Sequence, residues 1–186
     1  MRRIRSVVTT LGFVYIIGIA GPPGSGKSTF ARRLAELIGA GLAPMDGFHF
    51  TNSELARRNL DGSKGAPETF DKAGYVAALR DLRAGIPVSW PTYDRDVHEP
   101  VAGPPITSDI VVTEGNYLLL WPAVKPLLDT CWFLAVPDDV IRERLFARHV
   151  QGGKSENEAR RKVAQDLDNA CLVNGTIERA DLVLRT

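Results

Sequence analysis

The sequence predicts an α/β fold: a three-layer α/β/α domain around a five-stranded parallel sheet, spanning residues 1–186. Three observations carry that expectation. Apolar runs of strand length alternate with stretches of helical periodicity. The strand-like runs are apolar at nearly every position, as in strands buried on both faces. The first run leads directly into a glycine-rich junction and then a helix, the order of a βα unit.

Taken in order, the strands are "FVYIIGIA" (13–20), "LAPM" (42–45), "DIVVTEG" (109–115), "CWFLAV" (131–136) and "DLVLR" (181–185). Helical periodicity covers 28–38, 71–84, 138–151 and 155–173. Asp71 stands where an N-cap belongs, and Gly85 and Pro87 follow the last periodic residue of that helix. Ser155, with Glu158 three residues on, has the spacing of a capping box. The proline-rich stretch 86–108 reads as a short hairpin or long loop outside the main sheet. Long irregular segments in compact domains are often functional.

Composition narrows the function classes. The chain has 186 residues, 44% hydrophobic and 24% charged, with a net charge of +1. That size suits one domain with a real core, and that balance gives no reason to expect nucleic-acid binding. No apolar run reaches the roughly 18 residues of a membrane span. The basic start "MRRIRSVVTT" is read against a secretory signal, because no small-residue cleavage site follows it. Cys131 and Cys171 show no metal-ligand spacing and sit among apolar residues. They are expected to be buried free thiols of a cytoplasmic protein. The oligomeric state stays open, a homodimer included.

The central motif is "GPPGSGKST", residues 21–29. It fits G-x-x-x-x-G-K-[ST], the phosphate-binding P-loop. Gly21, Gly24 and Gly26, with Pro23 and Ser25 between them, let backbone N–H groups turn inward around phosphates. The helix that follows points its positive N-terminus at the same place. Lys27 supplies a cation for the terminal phosphates, Ser28 a hydroxyl for Mg²⁺, and Thr29 completes the motif. The nucleotide is expected to be ATP with Mg²⁺. The order is not G-x-G-x-x-G, which disfavours a dinucleotide.

Glu114, at the end of an apolar strand, is expected to reach the metal; the alternative is a turn or helix-capping carboxylate. Asp46 in "MDGFHF" (45–50) is expected to be the base for an acceptor hydroxyl, with a share in the metal. The alternative is a turn before Gly47. No N-K-x-D guanine reader is present. "PTYDR" (91–95) and His98 offer polar aromatics in the long loop. "RERLFARHVQGGK" (142–154) is a cationic helix end whose Arg144 and Arg148 share one face. It reads as a lid over about 144–155, with Gly152–Gly153 as a hinge. His49 and His98 stay open between surface and functional roles. His149 reads as a residue complementing the helix dipole. Arg57 and Arg58 read as a solvated helix face, and the tryptophans as core.

These motifs together resemble the phosphoribulokinase/uridine kinase family of P-loop kinases, which also holds bacterial pantothenate kinases. The resemblance runs from residue 13 to about 184 and includes "KGAPETFD" (64–71), "EGNYLLL" and "RADLVL". The combination with "RLFARHVQGGKS" and "DLDNACLV" looks most like a subgroup labelled fructose-transport-system kinases or nucleoside/nucleotide kinase-like proteins. The resemblance implies ATP as donor, Mg²⁺, and a small hydroxylated acceptor. It implies that Asp46 takes the acceptor proton and that Arg144 and Arg148 close over the phosphates. It also implies that Tyr93, Arg95, His98 and Asn169 face the acceptor, with His49 and Phe70 in the same set. Two rival functions stand beside it: a regulatory P-loop ATPase with a protein partner, and a nucleoside monophosphate kinase.

Overall fold

The computed structural model describes residues 13–185. The basic start read against a secretory signal lies outside the described residues. In chain order, the first half holds β1 (Tyr15–Ala20), α1 (Lys27–Ile38), β2 (Gly41–Pro44), α2 (Asn52–Arg57) and α3 (Lys72–Arg83). Four short strands follow: β3 (Val88–Ser89), β4 (Thr92–Asp94), β5 (Glu99–Val101) and β6 (Pro105–Ile106). The chain closes with β7 (Ile110–Gly115), β8 (Thr130–Ala135), α4 (Asp138–Gln151), α5 (Glu156–Asn174) and β9 (Leu182–Arg185).

The main sheet has the order β2-β7-β1-β8-β9, and every neighbouring pair is parallel. All five strands therefore end on one rim. Alternate residues feed two cores. Ile17, Ile19, Ile110 and Val112 pack with Ala31 and Ala35 of α1. Ile16, Ala20, Ala43 and Val111 pack with Tyr75, Val76, Leu79 and Leu82 of α3. Burial on both faces explains why the strands read as unbroken apolar runs. A third, separate cluster joins Ile141 and Leu145 of α4 to Val163 of α5.

Asp71 and Ser155 cap α3 and α5 as their spacing predicts, Ser155 through a complete capping box. Met45 departs from the expectation. It leaves the predicted strand and opens a 3₁₀ turn, Met45–Phe48, that carries Asp46. Room for it comes from Gly115, where any Cβ would lie 2.6 Å from that of Met45. The short helix α2 has no counterpart in the periodicity; Thr51 caps it by accepting from the Glu54 N–H.

Segment 86–108 is a long hairpin of two antiparallel ladders, β3 with β6 and β4 with β5. Trp90 sits between them, 1% exposed, and donates its indole N–H to the Pro44 carbonyl at 2.9 Å. Cys131 is buried and its thiol is pushed up to about 12 by that burial. Cys171 is exposed, a correction: Ala170 and Val173 turn inward from α5, while Cys171 and Leu172 lie on its outer face. No helix among the described residues is long and apolar enough to cross a membrane.

Candidate active site

The loop after β1 has the backbone that its glycines predict. Gly24 (φ 80°) and Gly26 (φ 86°) lie in the left-handed region, which side chains with a Cβ avoid. Gly26 is the N-cap of α1 and offers no side-chain cap, and no acid occupies the first turn. Each of the other described α-helices has a side-chain cap or an acidic first turn. The N-terminus of α1 is thus left with free N–H groups and an unneutralised dipole, a ready anion site.

Lys27 is 9% exposed and lies back across the loop, its Nζ 3.5 Å from the Pro22 carbonyl. Burial lowers its pKa; Glu114 and Asp46 oppose that shift, and Arg148 and Arg95 add to it. Five predicted side chains therefore act on one another here. Gly21, Pro23 and Ser25 are buried, Ser28 is half-buried and Thr29 is exposed. The Ser25 hydroxyl is buried without a hydrogen-bond partner.

Glu114 reaches the loop because of strand order. It lies opposite Ile19 of β1 and Pro44 of β2. It shares a sheet face with Val112, the face that α1 covers. Burial pushes its carboxyl up to about 7; the Asp46 charge adds to the shift, while Lys27 and a hydrogen bond from Ser28 oppose it. Asp46 is half-buried on the turn after β2. Mg²⁺ is usually held by one or two carboxylates plus substrate phosphates rather than by a full protein cage. Among the described residues no group of three or more His, Cys, Asp or Glu could hold a metal. One buried carboxylate facing a serine hydroxyl, with a second close by, fits that kind of site.

The opposite wall is aromatic. The His49 ring lies 3.8 Å from Phe70 and 5.0 Å from Tyr93, centroid to centroid. Its Nδ1 is 2.9 Å from the Asp46 carbonyl, and burial lowers its pKa. Asp46 in turn helps to raise the pKa of Tyr93, after burial. Phe70 is nearly buried, edge-on to Tyr117 and Trp121. Arg95 is exposed at the hairpin tip, yet its charge acts on Lys27, Glu114 and Tyr93. His98 is exposed, with φ 55°; its carbonyl, not its ring, is tied down, accepting from Tyr93 Oη at 2.9 Å and Lys64 Nζ at 2.6 Å. Asn169 is 6% exposed on α5.

The predicted lid is not a separate element at its start. Residues 144–151 are the last turns of α4, followed by Gly152 and Gly153, the latter at φ 85°. Arg144 Nη1 donates to the Gly24 carbonyl at 3.4 Å. A Cβ on Gly24 would meet Leu145 and the Ile141 carbonyl at 3.2 and 3.3 Å, so α4 packs directly on the loop. Arg148 is exposed and pairs with Asp166 at 3.4 Å. His149 also contacts Asp166, at 2.8 Å, beyond its expected place in the last turn.

Sequence reasoning missed three contributors. Asn116 has a buried Oδ1 without a partner. Tyr117 donates its hydroxyl to the Gly65 carbonyl at 2.6 Å and so fixes the "KGAPETFD" stretch. Lys64 bridges Asn52 Oδ1 and the hairpin tip. For Asn116 and Tyr117 the available signal was a polar Asn-Tyr pair directly after the strand that carries Glu114 and ends at Gly115.

Residues 16–185 match the family described as Phosphoribulokinase / Uridine kinase. The chain belongs to this family. Among its relatives is an uncharacterized Escherichia coli protein, YggC, 39% identical over 150 residues, covering 74% of this chain and 63% of that protein. A Schizosaccharomyces pombe protein provisionally named as a uridine kinase is 33% identical, covering 91% of this chain and 82% of its own. The pantothenate kinase of Limosilactobacillus reuteri is 35% identical over 67% of this chain but only 44% of its own length. The chain thus spans less than two thirds of two of these relatives. A crystal structure from Silicibacter sp. TM1040, provisionally described as a fructose transport system kinase, superposes with a TM-score of 0.84 at 32% identity. It covers 98% of this chain and 97% of that one. The family match and this superposition bear out the resemblance and the five-stranded P-loop kinase fold.

Proposed function

We propose that the protein is an ATP-dependent phosphotransferase that moves the γ-phosphate of MgATP to a hydroxyl of a small metabolite. The acceptor class is a nucleoside, a sugar or a pantothenate-like alcohol. The observation that carries this reading is the uncapped N-terminus of α1, with buried Lys27 facing Glu114 and Asp46. A triphosphate supplies the anion that this arrangement lacks. The aromatic wall of His49, Phe70 and Tyr93 beside Asp46 supports a second, acceptor subsite.

In this reading residues 21–29 hold the phosphates, and Ser28 and Glu114 would hold Mg²⁺, with Asp46 close enough to share it. When bound, the metal neutralises charge on the transferring phosphoryl group. Asp46 accepts the acceptor proton, Lys27 steadies the terminal phosphates, and Arg144 and Arg148 close over them. His49, Phe70, Tyr93, Arg95, His98 and Asn169 line the acceptor side. Catalysis is then mainly positioning and charge stabilisation. The reading also treats the 186 residues as one kinase domain working in the cytoplasm, without nucleic acid. Arg57 and Arg58, cations that would favour a phosphorylated acceptor, instead pair with Glu54 on their own helix.

The test is ADP release by purified protein with MgATP and a panel of nucleosides, sugars, pantothenate and related alcohols. At least one acceptor should stimulate turnover well above the ATPase background. ATP hydrolysis that ignores every small molecule and responds only to a protein would refute the kinase reading in favour of a regulatory ATPase.

A further inference from the structure

Asp166 lies on α5, next to Gln165, whose amide donates to the Gly62 carbonyl at 3.1 Å. One oxygen of Asp166, Oδ2, faces two donors from the last turns of α4. His149 Nε2 is 2.8 Å away and Arg148 Nη2 is 3.4 Å away. The Asp166 and His149 side chains are largely shielded, at 19% and 14% exposure, whereas that of Arg148 is 47% exposed.

The two contacts differ in kind. The short one, between shielded partners, fixes the carboxylate against α4. The long one touches Arg148 at a single nitrogen and leaves most of its N–H donors free. Arg148, which pairs with Asp166, lies on the same helix α4 that packs on the loop at 21–29, and its charge acts on the Lys27 ammonium there. Arg144, one turn earlier, already meets that loop at the Gly24 carbonyl. A long side chain on an exposed helix end loses rotamer freedom when it grips a phosphate. A carboxylate that restrains it beforehand lessens that loss.

We infer that Asp166 is a positioning residue: held by His149, it aims Arg148 at the terminal phosphate of a nucleotide bound on residues 21–29. This rests on the kinase reading above. It gives a role to Asp166 of the "DLDN" stretch, a residue that neither the nucleotide loop nor the acceptor side uses.

The test is calorimetry with MgATP and MgADP on the full chain, needing no acceptor. Wild type is expected to bind MgATP more tightly than MgADP. Arg148→Ala should weaken MgATP about tenfold, as for a charge-assisted phosphate contact. Asp166→Asn should weaken it about three- to fivefold, the scale of a part-exposed ion pair, with MgADP unchanged. In the Arg148→Ala background Asp166→Asn should add nothing. Asp166→Glu, which keeps the charge, should recover part of the loss and covers the case of a poorly folded amide variant. An unchanged ATP-over-ADP ratio in Asp166→Asn, or an equal further loss in the double variant, overturns the inference. Wild type that binds both nucleotides without preference overturns it alone. Wild type that binds neither overturns the kinase reading with it.

Discussion

Trp90 donates its indole N–H to the carbonyl of Pro44, two residues before Asp46. The bond is part-buried and joins the proline-rich hairpin to the end of β2, so the acceptor wall and the proposed base share one support. Trp90→Phe keeps an aromatic ring but leaves that carbonyl unpaired. It is expected to cost about 1–3 kcal/mol of stability and to lower acceptor turnover more than MgATP affinity. Thermal melts and calorimetry on one preparation separate the two effects.

Lys27 is the only cation inside the loop itself. Lys27→Ala removes it and leaves the backbone donors in place. Turnover is expected to fall by at least about 100-fold while the protein melts as one species. Wild-type ATP consumption in that variant would exclude the loop as the phosphate site.

Asp46→Asn keeps shape and removes the proton acceptor. MgATP affinity should stay within a few-fold of wild type, while acceptor phosphorylation falls by about 10²–10⁴-fold. A kcat near wild type would take the base role away from Asp46.

Glu114 gives a pH signature. Its folded pKa is about 7, against 4.5 for the unperturbed group. Between those values the folded chain holds a proton that the unfolded chain has released. Without ligand, stability from this group is therefore highest below about pH 4.5 and declines as pH rises to about 7. Glu114→Gln should flatten that decline. MgATP should oppose it in wild type, because a nearby cation favours the ionised carboxylate. Melting curves across that range, with and without MgATP, check both statements; a wild-type slope identical to that of Glu114→Gln would show that Glu114 does not titrate there.

Gly47 is a packing requirement of the site. A Cβ there would collide with the Pro91 carbonyl where the hairpin crosses the Asp46 turn. Gly47→Ala is expected to destabilise the protein by about 1–3 kcal/mol and to impair turnover by displacing Asp46. Unchanged melting and kinetics would mean that the turn and hairpin separate freely.

The phosphate loop was legible because its requirements are local. Left-handed glycines, a lysine and a helix start are neighbours in the chain, so spacing alone reveals them. Helices long enough to show a period, and strands buried on both faces, were legible for the same reason. Helix α2 showed only as a solvated helix face at Arg57 and Arg58, without bounds, since its six residues make too few turns to establish a period. Cys171 was misread because apolar neighbours say less than the rotation of a helix about its axis.

By itself, then, the sequence determined the alternation of elements, the phosphate loop and the residue types around it. Tertiary structure alone decided which of those residues meet. The insertion of β7 between β1 and β2 brings Glu114 to Lys27 and Asp46. The α4–α5 pairing brings Asp166 to Arg148 and His149. Such contacts join positions far apart in the chain, and they form only when the apolar faces between them are buried together.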